Sequence, residues 1–222
     1  MNHPSNKDGR AAPSKILVLG ATGGTGQLIV AQALKRGDDV TALIRSPEKA
    51  RNLTGAKLIF GDARDEATLR EALRDRDAVI SALGTPASPF REITLLSIAT
   101  RALVNAMKIE QVSRLVCITG IGAGDSAGHG GVLFDNLIFP LLLRKVYADK
   151  NRQEAIVRDS GLDWVLVRPS MLNDKPSRDT IRTFTDLSGF HGGTISREDV
   201  ARFVLEQVRA NTWLHSSPLI TW

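Results

Sequence analysis

The sequence predicts an α/β fold, a single domain built on a doubly wound, mostly parallel sheet flanked by helices. Three observations predict it. Short apolar strands alternate with helical patterns from Lys15 onward. The first strand runs directly into a glycine-rich turn at Gly20, Gly23 and Gly26. A chain of 222 residues with 42% hydrophobic content suits one sizeable core.

Lys15 to Leu19 reads as a buried strand, and Leu28, Ile29, Ala31, Ala33 and Leu34 continue as an amphipathic helix to about Arg36, stopped by Gly37. Val40 to Ile44 is a second strand ending at Arg45-Ser46-Pro47, with a short helical turn over Glu48 to Arg51. Lys57 to Phe60 is the third, followed by Gly61-Asp62 and a helix that Asp65 caps, with Leu69, Ala72 and Leu73 on its apolar face. Asp77 to Leu83 is the fourth, with a loop from Gly84 to Pro89. A long helix then carries Ile93, Leu96, Ala99, Leu103, Ala106 and Met107.

The fifth strand, Arg114 to Thr119, opens into a glycine-rich loop, Gly120 to Gly131. Pro140 starts or kinks the next helix, which reaches Asp159 and stops at Ser160-Gly161. Asp163 to Val167 is the sixth strand, left by Arg168-Pro169-Ser170. Met171 to Phe190 has no clear period and is expected, with residues 120–140, to cover a substrate. Ile195-Ser196 brings the chain back, a last helix runs from Arg197 to about Arg209, and Ser217 to Trp222 is a final strand. Residues 1–14 are polar, lack the apolar core of a secretory signal and read as a disordered tail before a domain spanning 15–222.

Composition narrows the function classes. Cys117 is the one cysteine, so an internal disulfide and a multi-cysteine metal site are excluded, no metal is expected and a reducing, cytoplasmic setting is. The longest apolar run, Leu137 to Leu143, is far short of the roughly 20 residues that span a bilayer. No membrane partner is expected. A net charge of +5 permits an anionic ligand, but the basic residues are scattered, which argues against nucleic acid.

The chemistry gathers at the first turn. Gly20 permits a tight turn, Gly23 lets the backbone approach a diphosphate, and Gly26 lets the helix pack close to the strand. The helix from Gly24 offers unpaired N–H groups and a positive dipole end. No Lys followed by Ser or Thr closes the run, which argues against a Walker A loop.

In an open sheet, ligands collect at the carboxyl ends of strands. The second strand ends at Arg45, not at Asp or Glu, and a guanidinium there suits a 2′-phosphate, so NADP(H) is preferred over NAD(H). Asp62 with Ala63 either meets adenine or caps a local turn. Ala82, Leu83 and Gly84 are small enough to leave room for a ribose. In the helix before Asp159, Lys150 can share a face with Tyr147 or with Glu154, giving either a catalytic pair or a surface ion pair. Leu133, Phe134, Ile138 and Phe139 either cover a flat acceptor or pack against the sheet or a second subunit.

Leu19 to Gly26, Ile44 to Lys49, Gly61-Asp62, Lys150 with Glu154, Ser160 to Trp164, Arg168-Pro169-Ser170 and Ile195 to Ala201 together resemble the atypical short-chain dehydrogenase/reductase superfamily. Within it, the chain is similar to the compact NAD(P)H-binding branch with flavin reductase/biliverdin reductase B and NmrA-like proteins. The resemblance implies a Rossmann fold, with Gly20, Thr22, Gly23, Gly24, Thr25 and Gly26 on the diphosphate and Arg45 on the 2′-phosphate. It puts Asp62 and Ala63 at adenine, Ala82, Leu83 and Gly84 by a ribose, and Thr119, Lys150, Pro169 and Ser170 toward the nicotinamide. Tyr147-x-x-Lys150 departs from the superfamily's Tyr-x-x-x-Lys pair, and Thr119-Gly120-Ile121 stands where its serine is expected.

The resemblance therefore implies an NADPH-dependent reductase of a planar acceptor such as a flavin or quinone, with Lys150 and Tyr147 as candidate catalytic residues and Phe134, Phe139 and Met171 as candidate substrate contacts. The alternative is a non-catalytic NADP(H)-binding redox sensor of NmrA-like type that works through a protein partner. A nucleotide-sugar epimerase is disfavoured, because the chain after the sixth strand is short. Monomer and homodimer are both open.

Overall fold

A computed structural model describes residues 13–86, 92–132 and 134–222, with Phe134 described by its backbone alone. Residues 1–12 of the expected tail, Ala87 to Pro89 of the expected loop and Leu133 lie outside the described residues. Ser14, placed at the end of the expected tail, is buried, donates its N–H to Asp38 at 2.9 Å and accepts from the Asp39 N–H at 3.0 Å.

The strands are β1 (Lys15–Leu19), β2 (Asp39–Ile44), β3 (Lys57–Phe60), β4 (Ala78–Ser81), β5 (Arg114–Ile118), β6 (Asp163–Pro169), β7 (Met171–Asn173), β8 (Arg182–Phe184), β9 (Thr194–Ser196) and β10 (Leu219–Thr221). The α-helices are α1 (Gly24–Arg36), α2 (Glu66–Leu73), α3 (Leu95–Ile109), α4 (Arg144–Arg158) and α5 (Arg197–Glu206). The main sheet has the order β3-β2-β1-β4-β5-β6-β10-β8, parallel except for the last pair, and β7 and β9 form a separate parallel pair. Connections reverse direction between β1 and β4, and this switch point is where an open α/β sheet places its ligand.

The period of two along β1 builds both layers. Ile16 and Val18 face α1 and α5 in a cluster with Ile29, Val30, Val200 and Val204. Leu17 and Leu19 face the opposite way, against Leu69, Leu73, Leu103 and Met107 of α2 and α3. Both faces of the strand are therefore dry, and its glycine turn is set on a rigid base.

Three elements differ from expectation. Met171 to Phe190 contains two short strands; β8 closes the sheet antiparallel to β10, with Phe184 opposite Leu219. Pro140 neither starts nor kinks α4. It lies inside a wider-wound π-helical stretch, Phe134–Leu143, and α4 begins afterwards at Arg144. The fourth strand is shorter than expected; the Ala82 N–H still donates to the Leu19 carbonyl at 2.9 Å, and the chain beyond it turns aside to wall the cleft. Among the described residues, no helix is long and apolar enough to cross a membrane.

Candidate functional site

A cleft of about 440 Å³ runs along the carboxyl ends of β1, β2, β3, β4 and β5, at the switch point. The glycine turn forms its floor. Gly20 has φ +78°, and a β-carbon there would lie 2.4 Å from the Ala82 carbonyl oxygen, so a side chain is barred by both backbone and neighbour. A β-carbon on Gly26 would lie 2.1 Å from the Gly20 oxygen, which explains how closely α1 docks on β1. Gly23 differs: a β-carbon there would meet only the Gly20 oxygen, at 3.4 Å, and would otherwise project into open space. This cradle, beside the unpaired N–H groups of the first turn of α1, fits a diphosphate.

One end of the cleft is lined by Arg45, Gly61, Asp62 and Ala63. Arg45 is exposed at the end of β2, while Asp38 and Asp39 at the strand's start are occupied, by Arg209 at 3.0 Å and Arg76 at 3.2 Å. Asp62 accepts from the Arg64 guanidinium at 3.0 and 2.6 Å and from the Arg64 N–H at 2.9 Å. Those bonds hold its carboxyl down to about 2, with the Arg45 charge adding to the effect. The local-turn reading of Asp62 is thus what the geometry forms, and the same residue lines the cleft.

At the other end lie Ala82, Leu83, Gly84, Ile118, Thr119 and Lys150. Lys150 donates to the Thr119 carbonyl oxygen. A β-carbon on Gly120 would sit 3.3 Å from Lys150 Nζ and 3.6 Å from the Tyr147 hydroxyl, so both groups face one small patch of backbone. The Lys150 ammonium also lies 5.1 Å from the Tyr147 ring centroid. Burial pulls the Lys150 pKa down to about 8 and pushes the Tyr147 phenol up to about 12. Near neutral pH the tyrosine keeps its proton, and the lysine is poised to give one up.

The expected surface pair between Lys150 and Glu154 does not form. Glu154 is fully buried and accepts from Arg168 at 3.0 and 2.7 Å, from Arg158 at 2.9 Å and from the Thr119 hydroxyl at 2.7 Å. Arg168 also pairs with Asp125 at 2.6 Å. A carboxylate one helical turn from Lys150 is thus drawn inward, because the guanidinium on β6 is buried and needs a partner. Burial, the largest single influence, would raise the Glu154 pKa, but Arg168, the Thr119 hydroxyl and Arg158 together outweigh it and the net shift is downward. The cluster fixes Thr119, whose carbonyl in turn fixes Lys150.

Several other candidates lie elsewhere. Ser170 is buried and bonds to the Thr221 hydroxyl at 2.9 Å, and the Pro169 carbonyl accepts from the Ile121 N–H at 2.9 Å; both knit β6 to its neighbours and neither lines the cleft. Met171 is exposed and outside the cleft, since alternation along β7 puts Leu172 there instead. Phe139 packs on Tyr147 with ring centroids 5.1 Å apart. The Phe134 side chain lies outside the described residues.

Sequence reasoning missed Leu43, Ile44, Thr85, Pro86, Leu95, Ile118, Leu172 and Arg197, which also line the cleft. Thr85 and Pro86 follow directly from Gly84 and were within reach of the strand-end argument. Arg197 and Leu172 arrive from across the fold, and nothing local to either marks it as facing the cleft. Among the described residues, no group of three or more His, Cys, Asp or Glu side chains can hold a metal.

A glycine turn at the switch point with an anion cradle and a cleft along five strand ends defines a dinucleotide-binding α/β domain. The chain belongs to the NAD(P)H-binding family, whose model matches residues 20–211. It is 31% identical over 201 residues to the chloroplastic protein At2g34460 of Arabidopsis thaliana, covering 86% of this chain and 71% of that one. It is 27% identical over 197 residues to YhfK of Bacillus subtilis, described as an uncharacterized sugar epimerase, covering 86% of each. The fold matches the Escherichia coli O157:H7 anaerobilin reductase ChuY at TM-score 0.79 and 24% identity, over 93% of this chain and 96% of that one. It also matches a Veillonella parvula short-chain dehydrogenase/reductase solved with NADP, at TM-score 0.75 and 17% identity, over 93% and 94% of the two chains.

Proposed function

We propose that this protein is an NADPH-dependent oxidoreductase that reduces a planar acceptor such as a flavin or quinone. One observation carries the reading: a single cleft joins Arg45 at one end to Lys150 at the other, with the diphosphate cradle between them. Arg45 would pair with the 2′-phosphate, the turn from Gly20 to Gly26 with the diphosphate, and Thr119 and Lys150 with the nicotinamide end. The bound cofactor supplies the hydride.

The chain's own residues position, shield and protonate. Lys150, held by Thr119 and with its pKa near 8, can deliver a proton to the reduced acceptor. Tyr147 keeps its hydroxyl protonated beside it. Leu95 and Leu172 give the acceptor end an apolar wall. ChuY, which shares the fold, is described as a reductase and YhfK as a sugar epimerase; the reductase reading rests on the Lys150 proton donor and the apolar wall of the cleft.

The test is NADPH consumption by purified protein with flavin mononucleotide and a simple quinone, against a Gly23→Asp control. Turnover that disappears in the control supports the reductase. Binding of NADPH without turnover of either acceptor would favour the sensor reading.

A further inference from the structure

Gly24 lies inside the first turn of α1 and shows no positive φ, so the backbone gives no reason for glycine there. Its reason is a neighbour. A β-carbon on Gly24 would sit 3.1 Å from Cδ and 3.2 Å from Nε of Arg197. The arginine is laid across the amino end of α1, over the bare face that the glycine leaves, and lines the cleft with Thr22, Gly23 and Thr25.

Its placement is built from far away. Arg197 is the first residue of α5, whose N-cap Ser196 accepts from the Asp199 N–H. The amino end of α5 is tied to α1 by Gln32, which donates to the Glu198 carbonyl at 3.1 Å. The Arg197 guanidinium donates to Asp174 at 2.7 Å, and that carboxylate is 84% exposed. An ion pair with so exposed a partner is weak and readily exchanged. Leu172 and Ile195 are paired across β7 and β9, so Asp174 and Arg197 follow the same ends of two adjacent strands. The short sheet thus delivers a cation and its temporary counter-ion to the mouth of the diphosphate cradle.

We propose that Arg197 binds the diphosphate of the nicotinamide cofactor and that Asp174 competes for the same guanidinium until the cofactor arrives. The proposal rests on the cleft being the NAD(P)H site. It assigns the two anionic groups of NADPH to two arginines: Arg45 to the 2′-phosphate and Arg197 to the diphosphate. Arg197 therefore contributes equally to NADPH and NADH, while Arg45 separates them.

Binding fragments tell these roles apart. Arg197→Met keeps the aliphatic packing on Gly24 and removes the charge; affinities for NADPH, NADH, ADP-ribose and adenosine 2′-monophosphate are measured by titration calorimetry, with displacement of NADPH fluorescence for the weak fragment. The variant is expected to lose about tenfold or more for NADPH, NADH and ADP-ribose alike and nothing for adenosine 2′-monophosphate. Arg45→Ala is expected to do the converse, weakening NADPH and adenosine 2′-monophosphate and sparing NADH. Arg197→Lys should recover part of the loss, and Asp174→Asn should tighten NADPH by about two- to fivefold.

Unchanged affinities in Arg197→Met, or a loss confined to NADPH and adenosine 2′-monophosphate, would overturn the assignment of Arg197. Weaker NADPH binding in Asp174→Asn would overturn competition by Asp174. A wild-type protein that binds neither nucleotide would overturn the reading of the cleft itself, a result distinct from the other two.

Discussion

Replacing Glu154 with glutamine removes one charge from the buried cluster beneath the cleft and leaves its shape intact. Glu154 is fully buried, and Arg168, 1% exposed, gives it two hydrogen bonds. The variant keeps an acceptor for the Thr119 hydroxyl but leaves Arg168 with Asp125, a carboxylate 74% exposed, as its charged partner. Breaking a buried ion pair from one side costs roughly 3–5 kcal/mol, chiefly because the remaining charge is stranded away from water. For a domain of this size each kcal/mol lowers Tm by about 2–4 °C, so a fall of roughly 6–20 °C is expected.

The pH dependence has a definite sign. The Glu154 pKa is lower in the folded state than the ordinary value of 4.5, so its contribution is present above that value and is lost as pH falls through the folded value. Wild type minus Glu154→Gln should therefore show a Tm difference that is constant above about pH 5 and shrinks below about pH 4. Thermal unfolding followed by circular dichroism from pH 3 to 8 measures it. A difference under 1 °C at pH 7 would refute the claim that this pair carries the base of the site.

Other perturbations separate packing from binding. Gly26→Ala forces a β-carbon to 2.1 Å from the Gly20 oxygen and should cost about 1–3 kcal/mol, read as a lowered urea midpoint. Arg45→Glu should lower the ratio of NADPH to NADH affinity by tenfold or more, on the order of one charge-assisted bond lost and a repulsion gained; fluorescence titration with both nucleotides checks it. Lys150 has a folded pKa near 8 against an ordinary 10.5, so its contribution to stability is full above about 10.5 and lost as pH falls through 8. Relative to wild type, Lys150→Met should accordingly gain stability below pH 8, and this gain should disappear by about pH 10.5, as measured by urea unfolding at both limits.

The parts legible in the sequence are those whose physics is local. The apolar run Ile16, Leu17, Val18 and Leu19 shows a strand buried on both faces, and Gly20, Gly23 and Gly26 fall within seven residues, a spacing that reads as a tight turn. Arg45 was readable for the same reason, as the residue that ends a strand. Glu154 was not: its partner Arg168 is 14 positions away on another element, and only burial of both explains why it turns from Lys150. Leu172 and Arg197 are brought to the cleft by the pairing of two three-residue strands, too short to leave a period. Strand β8 was hidden likewise, since three residues at a sheet edge carry no alternation to detect.

The most direct test of the nicotinamide cleft is calorimetric titration of NADPH into wild type and Gly23→Asp. A β-carbon at Gly23 meets nothing nearer than the Gly20 oxygen at 3.4 Å, so the fold should accept the side chain, as an unchanged Tm would verify. The carboxylate then stands in the diphosphate cradle beside the amino end of α1. The account predicts one NADPH per chain in wild type and an affinity at least about a hundredfold weaker in the variant, from a lost approach and a like-charge repulsion. Equal affinity in a folded Gly23→Asp protein would contradict it.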